Sequence, residues 1–388
     1  MNDKRSPVEI ARELAPKIRA SADEIEAERE LPKPLFEALY DAGLFTLALP
    51  KSLGGSEIDL PTYVQVLEEI GKADASTGWC INQGGIYATY SSRMPHAVAK
   101  KIWVDVPRAV VANTPAPSAK AIPVPGGYRV TGRQGFSTGC KHASWLAPHA
   151  QILDDGVPRR HPDGALQQWY MFVPAAEAEI IDTWHVRGMR GTGTHHFAVN
   201  DVFVPADRCV DSQRAPIIYD APLYHIPRTL LFASGDAAVA LGLARSCMSA
   251  FAELAGSKTP RAMPGLLRDQ ALVQFDLGRC EAFVRSGRAL LTEAVGEIWK
   301  GVVSRGGDPT LDERAGLRLA ATHNLRLAAE VVDILYNHSG ATAAYEGHVL
   351  QRYFQDIHVI TQHLQGRLTH YELIGRYQLG LPIDEARL

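Results

Sequence analysis

The sequence predicts an α+β chain, mostly α, built as three successive parts: an N-terminal helical domain, a middle β-barrel or sandwich domain, and a C-terminal antiparallel four-helix bundle. Three observations carry this. Apolar residues recur at helical spacing through the first hundred or so positions. The period then drops to two, with Gly/Pro-rich turns, and finally returns to helical spacing over long uninterrupted stretches. The boundaries follow those changes: 1–108, 109–215 and 216–388. At 388 residues the chain exceeds the size at which one hydrophobic core keeps growing, so several packed units are expected.

Each element has its own local reason. Ser6-Pro7-Val8-Glu9 is a capping box with proline at the first helical position, and Pro16 should kink or restart that helix. In LPKPLFEALYDAGLF, Leu35, Leu39 and Phe45 form an apolar face and Gly43 ends the helix. Further helices lie between Leu60 and Ala99. AIPVPGGYRVTG alternates around Pro125-Gly126-Gly127, a hairpin signal, and HFAVNDVFVP reads as a further strand pair ending at Pro205. Leu317, Ala321, Leu325, Ala328, Val332 and Leu335 mark one face of a long helix, separated from its predecessor by SRGGDPTLDE.

Composition excludes several classes. A net charge of −3 gives no electrostatic reason to bind nucleic acid or an anionic membrane surface. No apolar run reaches the roughly 20 residues of a membrane span, and MNDKRSPVEI lacks the apolar core of a signal peptide, so a cytoplasmic location is expected. Five scattered cysteines, never spaced as CxxC, speak against disulfides or zinc. Cys140 is expected to be simply packed.

Four stretches could carry chemistry. In GFSTGCKHASW, Ser137 and Thr138 offer adjacent hydroxyls beside the ring of Phe136; they either meet a ligand's polar edge or cap their own loop. In RGMRGTGTHHF, Gly191 and Gly193 permit tight turns, but a strand follows, so this is not a Rossmann loop; His195 and His196 lack a metal partner set. His358 and His363 lie five apart, about 500° around a helix, so they do not form a two-histidine metal site, and one is free to face a pocket as a base. In HSGATAAYEGH, Gly340 breaks a helical pattern and Glu346 is a possible carboxylate base; the bland reading is a helix connection.

The order of these signals, with ADASTGWC at 73–80, GGYRVTGRQGFSTGCKHASW at 126–145, DTWHVRGMRGTGTHHFAVNDVFVP at 182–205 and LQRYFQDIH to His363, resembles the acyl-CoA dehydrogenase fold. Within it, the chain resembles the two-component (group D) flavin-dependent monooxygenases. The resemblance implies a reduced flavin, FMNH2 or FADH2, supplied by a separate reductase. It also implies hydroxylation of a small phenol-like aromatic through a C4a-hydroperoxyflavin, and a homotetramer. By position it implies Thr138 as partner of flavin N5, with Ser137 as competitor, and Phe136 against the ring. Asn113 and Thr114 fall at the pyrimidine side, and Arg261, Gly340 and Ala341 near the phosphate or ribityl chain. His363 matches the base, and Tyr87, Trp79 and His225 are pocket candidates.

Two departures stand out: Gln355-Asp356 where many relatives have Arg-Asp, and Tyr87 where some have histidine. The alternatives are an FAD-dependent acyl-CoA dehydrogenase, oxygenation at nitrogen or sulfur, and a non-catalytic flavin-binding homologue. Against the dehydrogenase, ANTPAPSAKAIP lacks the Gly-Ser-Asp of the TEPxxGSD-like stretch, and no EYPxE pattern surrounds Glu346.

Overall fold

The computed structural model describes residues 5–388. Helices come first: α1 Pro7–Ala20, α2 Ala22–Glu28, α3 Lys33–Asp41, α4 Leu60–Ala73, α5 Ala75–Tyr87 and α6 His96–Trp103. The predicted capping box at Ser6 is present. Pro16, however, lies inside an unbroken α1. It sits on the solvent face, where the carbonyl that loses its partner can be hydrated, so the helix runs on to Ser21.

The middle region holds β1 Val111–Asn113, β2 Ala119–Val124, β3 Gly127–Ser137, β4 Trp145–Ala147, β5 His149–Asp154, β6 Val157–Pro158, β7 Gln168–Met171, β8 Val173–Pro174, β9 Glu179–Ile181, β10 His195–Pro205 and β11 Cys209–Asp211. They form a small sheet, β1-β4-β8, and a large one ordered β11-β7-β5-β2-β3-β10-β9, with β6 paired to β5. The β2–β3 hairpin turns at Gly126, whose φ of 83° explains the glycine. HFAVNDVFVP is one strand rather than a pair. Between Val199 and Val202 its register shifts at a bulge, where Asp201 takes φ 52° and its N–H donates to Thr131 Oγ1 at 2.9 Å.

The C-terminal region comprises α7 Pro222–His225, α8 Arg228–Ser257, α9 Ala271–Arg305, α10 Leu311–Ser339, α11 Val349–Ile360 and α12 Thr369–Gln378. The predicted stripe from Leu317 to Leu335 is fully buried. By length and composition α8 could cross a membrane; here its apolarity serves the core, since α4, α5, α9, α10 and α11 all pack on it.

Candidate active site

Two groups of residues lie along α5. The first gathers at the end of β3. The β3–β10 register shifts between Gln134 and Ser137, and burial there differs from residue to residue: Phe136 is 64% exposed, Ser137 is fully buried, and Thr138 is partly exposed. Phe136 holds φ 59°, an uncommon backbone state for an aromatic residue, which turns its ring outward. The Thr114 hydroxyl donates to Gly135 O at 2.7 Å, tying the end of β1 to this segment. Asn113 Nδ2 donates to the hydroxyl of Tyr87, the last residue of α5. Tyr87 is buried against Tyr90, Tyr170 and Phe232, and burial first, then its tyrosine neighbours, holds its phenol protonated far above the usual range. The structure therefore brings Asn113, Thr114, Phe136, Ser137, Thr138 and Tyr87 together.

The hydroxyls differ in their partners. Ser137 Oγ has none. Opposite it in the β3–β10 register stands His195, buried, its Nε2 also without a partner and its pKa lowered to about 4, chiefly by burial. Thr138 Oγ1 lies 3.0 Å from Thr194 Oγ1, which lies 2.7 Å from Thr192 Oγ1. Thr138 is thus the hydroxyl a ligand can reach, and Ser137 faces inward. Cys140 is packed beneath, buried and hydrogen-bonded to Gly193 O, with burial raising its thiol to about 12.

The second group surrounds His363. The sequence places this residue on a helix, but α11 ends at Ile360 and His363 begins the following turn. Side chains of α10 hold that turn by capturing its carbonyls. Arg326 donates to Gly366 O and Thr361 O, and Thr322 donates to Gln365 O at 3.3 Å. Arg318, buried inside α10, donates to Gln365 Oε1 and to Thr229 Oγ1; burial lowers its pKa to about 10 while Asp236 opposes the shift.

The His363 ring meets Trp79 edge-on at 5.0 Å and its Nδ1 lies 3.1 Å from Asp236 Oδ2. Neither atom has a hydrogen-bond partner, so the two face each other at hydrogen-bond range. Asp236 is fully buried, its other oxygen accepting from Asn82 Nδ2 at 2.8 Å and Gln83 Nε2 at 3.2 Å. Asn82 in turn accepts from the Tyr63 hydroxyl at 3.0 Å. Phe232, one helical turn before Asp236, contacts Tyr87 and so joins the two groups.

The sequence reading missed Asp236, Asn82, Gln83, Tyr63 and Arg318. One signal was present: Asp236 is a single acid in the apolar run LLFASGDAAVALGLA. The other predicted residues lie elsewhere. Both ring nitrogens of His225 are taken, by Asp220 at 2.7 Å and Asp308 at 2.9 Å. Arg261 is exposed in the turn after α8, and Ala341 is exposed beside Gly340, which has φ 56°. Lys258 links these two segments, donating to Ser339 O and Thr342 Oγ1. Glu346 is almost wholly exposed, 3.8 Å from Arg187. His358 pairs with Asp333 at 2.8 Å.

A helical domain, a two-sheet middle and a long-helix bundle, with a hydroxyl-bearing strand end beside an aromatic ring, define an acyl-CoA-dehydrogenase-type architecture. Residues 4–104 and 234–367 match the acyl-CoA dehydrogenase N-terminal and C-terminal domain models. An indole-3-acetate monooxygenase of Pseudomonas putida is 30% identical over 89% of this chain and 86% of its own length. The crystal structure of a 3-HSA hydroxylase from Rhodococcus sp. RHA1 superposes with a TM-score of 0.90 at 26% identity, covering all of both chains. XiaF from Streptomyces sp., solved with FADH2 and glycerol, gives 0.89 at 26% identity over 97% of this chain and 95% of its own. The chain belongs to the acyl-CoA dehydrogenase family, among its flavin-dependent monooxygenases.

The residues present fit a flavin. An exposed aromatic ring, a partly exposed threonine and the Asn113 amide suit a flat heterocycle with one polar edge.

Proposed function

We propose that this chain, with reduced flavin from a separate reductase and dioxygen, hydroxylates a small aromatic, phenol-like substrate. Bound reduced flavin supplies the electrons and the oxygen chemistry. The chain's own residues bind, orient and move a proton. Phe136 offers a wall for the ring, Thr138 and Asn113 meet its polar edge, and Trp79 and Tyr87 shape the substrate side. Arg261, Gly340 and Ala341 serve the flavin of a second copy in a homotetramer, and the assembly works in the cytoplasm.

The observation that carries the reading is the partly exposed imidazole of His363, set edge-on to Trp79 with Asp236 behind it. Asp236 Oδ2, 3.1 Å from Nδ1, favours the tautomer that carries its proton on Nδ1 and leaves the Nε2 lone pair free. His363 Nε2 then accepts the substrate's hydroxyl proton, raising electron density on the aromatic ring. The dehydrogenase alternative needs a carboxylate base in the pocket, and Glu346 is solvated and paired to Arg187.

The test is His363→Ala. Reduced-flavin affinity is unchanged, while hydroxylated product falls by about 10²–10⁴-fold, the range a positioned base supplies. Product formation at the native rate rejects the assignment. A screen of phenols, indoles and amines with a generic flavin reductase identifies the substrate and separates carbon from nitrogen oxygenation.

A further inference from the structure

The three threonines below the strand end form a directional chain. Thr192 Oγ1 lies 2.9 Å from Met189 O, and a carbonyl only accepts, so the Thr192 proton is spent there. Thr192 Oγ1 lies 2.7 Å from Thr194 Oγ1, which lies 3.0 Å from Thr138 Oγ1; with the Thr192 proton on Met189 O, the order that bonds all three has Thr194 donating to Thr192 and Thr138 donating to Thr194. Each hydroxyl carries one proton, so the carbonyl sets the direction of the whole chain. Thr138 has given its proton inward and presents only lone pairs to a ligand. Thr192 and Thr194 are both more than nine-tenths buried, so bulk water does not compete with this order.

The anchor is itself rigid. Met189 takes φ 53°, its carbonyl also accepts from Trp184 Nε1 at 2.9 Å, and its N–H donates to the buried carboxyl of Asp356. Thr192 also turns on the backbone of this same loop, its N–H bonding Met189 O at 3.2 Å.

We infer that Thr192 and Thr194 are positioning residues that fix the Thr138 hydroxyl as a hydrogen-bond acceptor, so that the site selects the protonated N5 of reduced flavin over oxidised flavin. This rests on Thr138 being the flavin contact. Reduced flavin carries a hydrogen on N5 and needs an acceptor there, whereas oxidised flavin offers a lone pair at N5 and needs a donor. A threonine free to rotate serves both; one tied to Met189 O serves the reduced form.

The experiment measures, on the full-length protein under anaerobic conditions, the dissociation constants of reduced and oxidised FMN and FAD, and the midpoint potential of the bound flavin. The native protein binds the reduced form at least tenfold more tightly, which places the bound potential above that of free flavin. Thr194→Val and Thr192→Val each cut that preference at least fivefold, and Thr194→Ser, which keeps the hydroxyl, restores it. A preference within twofold of native in both valine variants overturns the relay. If the valine variants do not fold, the native potential decides: a value at or below that of free flavin also overturns it. Thr138→Val tests the underlying contact separately. Unchanged affinity for both flavin forms there rejects Thr138 as the flavin partner, whereas lost reduced-flavin affinity with an unchanged preference in Thr192→Val rejects the relay alone.

Discussion

Asp236 Oδ2 stands 3.1 Å from His363 Nδ1, and the two atoms come from segments more than a hundred residues apart, α8 and the turn after α11. A carboxylate in that position fixes which ring nitrogen carries the proton and stabilises the imidazolium formed when the other nitrogen accepts one. Arg318 from α10 feels the charge of the same carboxylate, and Tyr63 from α4 reaches it through Asn82.

Asp236→Asn is expected to lower turnover by about 10²-fold. Reduced-flavin affinity is retained. Steady-state turnover beside a reduced-flavin titration checks this, and turnover equal to native assigns Asp236 a packing role only.

Ser137 and Thr138 separate by the same logic. Ser137 Oγ is buried without a partner, so Ser137→Ala removes an unsatisfied group and leaves stability equal or higher by about 1 kcal/mol in chemical denaturation. Its effect on flavin affinity is small. A stability loss above about 1 kcal/mol shows that the hydroxyl is hydrogen-bonded in solution.

Asp356 gives a pH dependence. Burial, with Glu26 and Asp74 adding like charge, holds its carboxyl well above the usual range, and burial also raises Glu26 and Asp74. The folded state therefore binds these protons more tightly than the unfolded chain. The stability they contribute is fully present below the unfolded carboxylate pKa of about 4 and is lost as pH rises through the raised folded values. Asp356→Asn keeps an oxygen for the Met189 N–H and removes one of these titrations. Urea unfolding across that window is expected to show a shallower decline than native; an equal or steeper one refutes the assignment.

The contact of α4 with α8 predicts a contrast between two glycines. A Cβ on Gly242 would meet Glu68 O at 2.4 Å, whereas one on Gly296, within α9, meets nothing within 4 Å. Gly242→Ala is expected to cost about 1–3 kcal/mol through overpacking. Gly296→Ala gains about 0.5–1 kcal/mol from the better helix former. Thermal unfolding of both variants reads the difference directly.

Where a signal was local, the sequence carried it. The Ser6 capping box, the Gly126 hairpin, the stripe from Leu317 to Leu335 and the helix break at Gly340 each follow from side-chain spacing and backbone preference. Pro16 shows the limit, because whether proline breaks a helix depended on which face met solvent. His363 shows it again: its turn exists because Arg318, Thr322 and Arg326 capture its carbonyls and side chains from another helix.

By itself the sequence determined the three-part order and pointed to the strand-end hydroxyls and the histidine near the chain's end, since periodicity and contiguous motifs are properties of neighbours in the chain. Only the tertiary structure decided that Ser137 is buried while Thr138 is partly exposed, that Asp236 backs His363, and that the hydroxyls of Thr138, Thr194 and Thr192 line up toward Met189 O. Those facts depend on hydrogen-bond directions and burial among segments distant in the chain, and no spacing rule along one strand or helix encodes them.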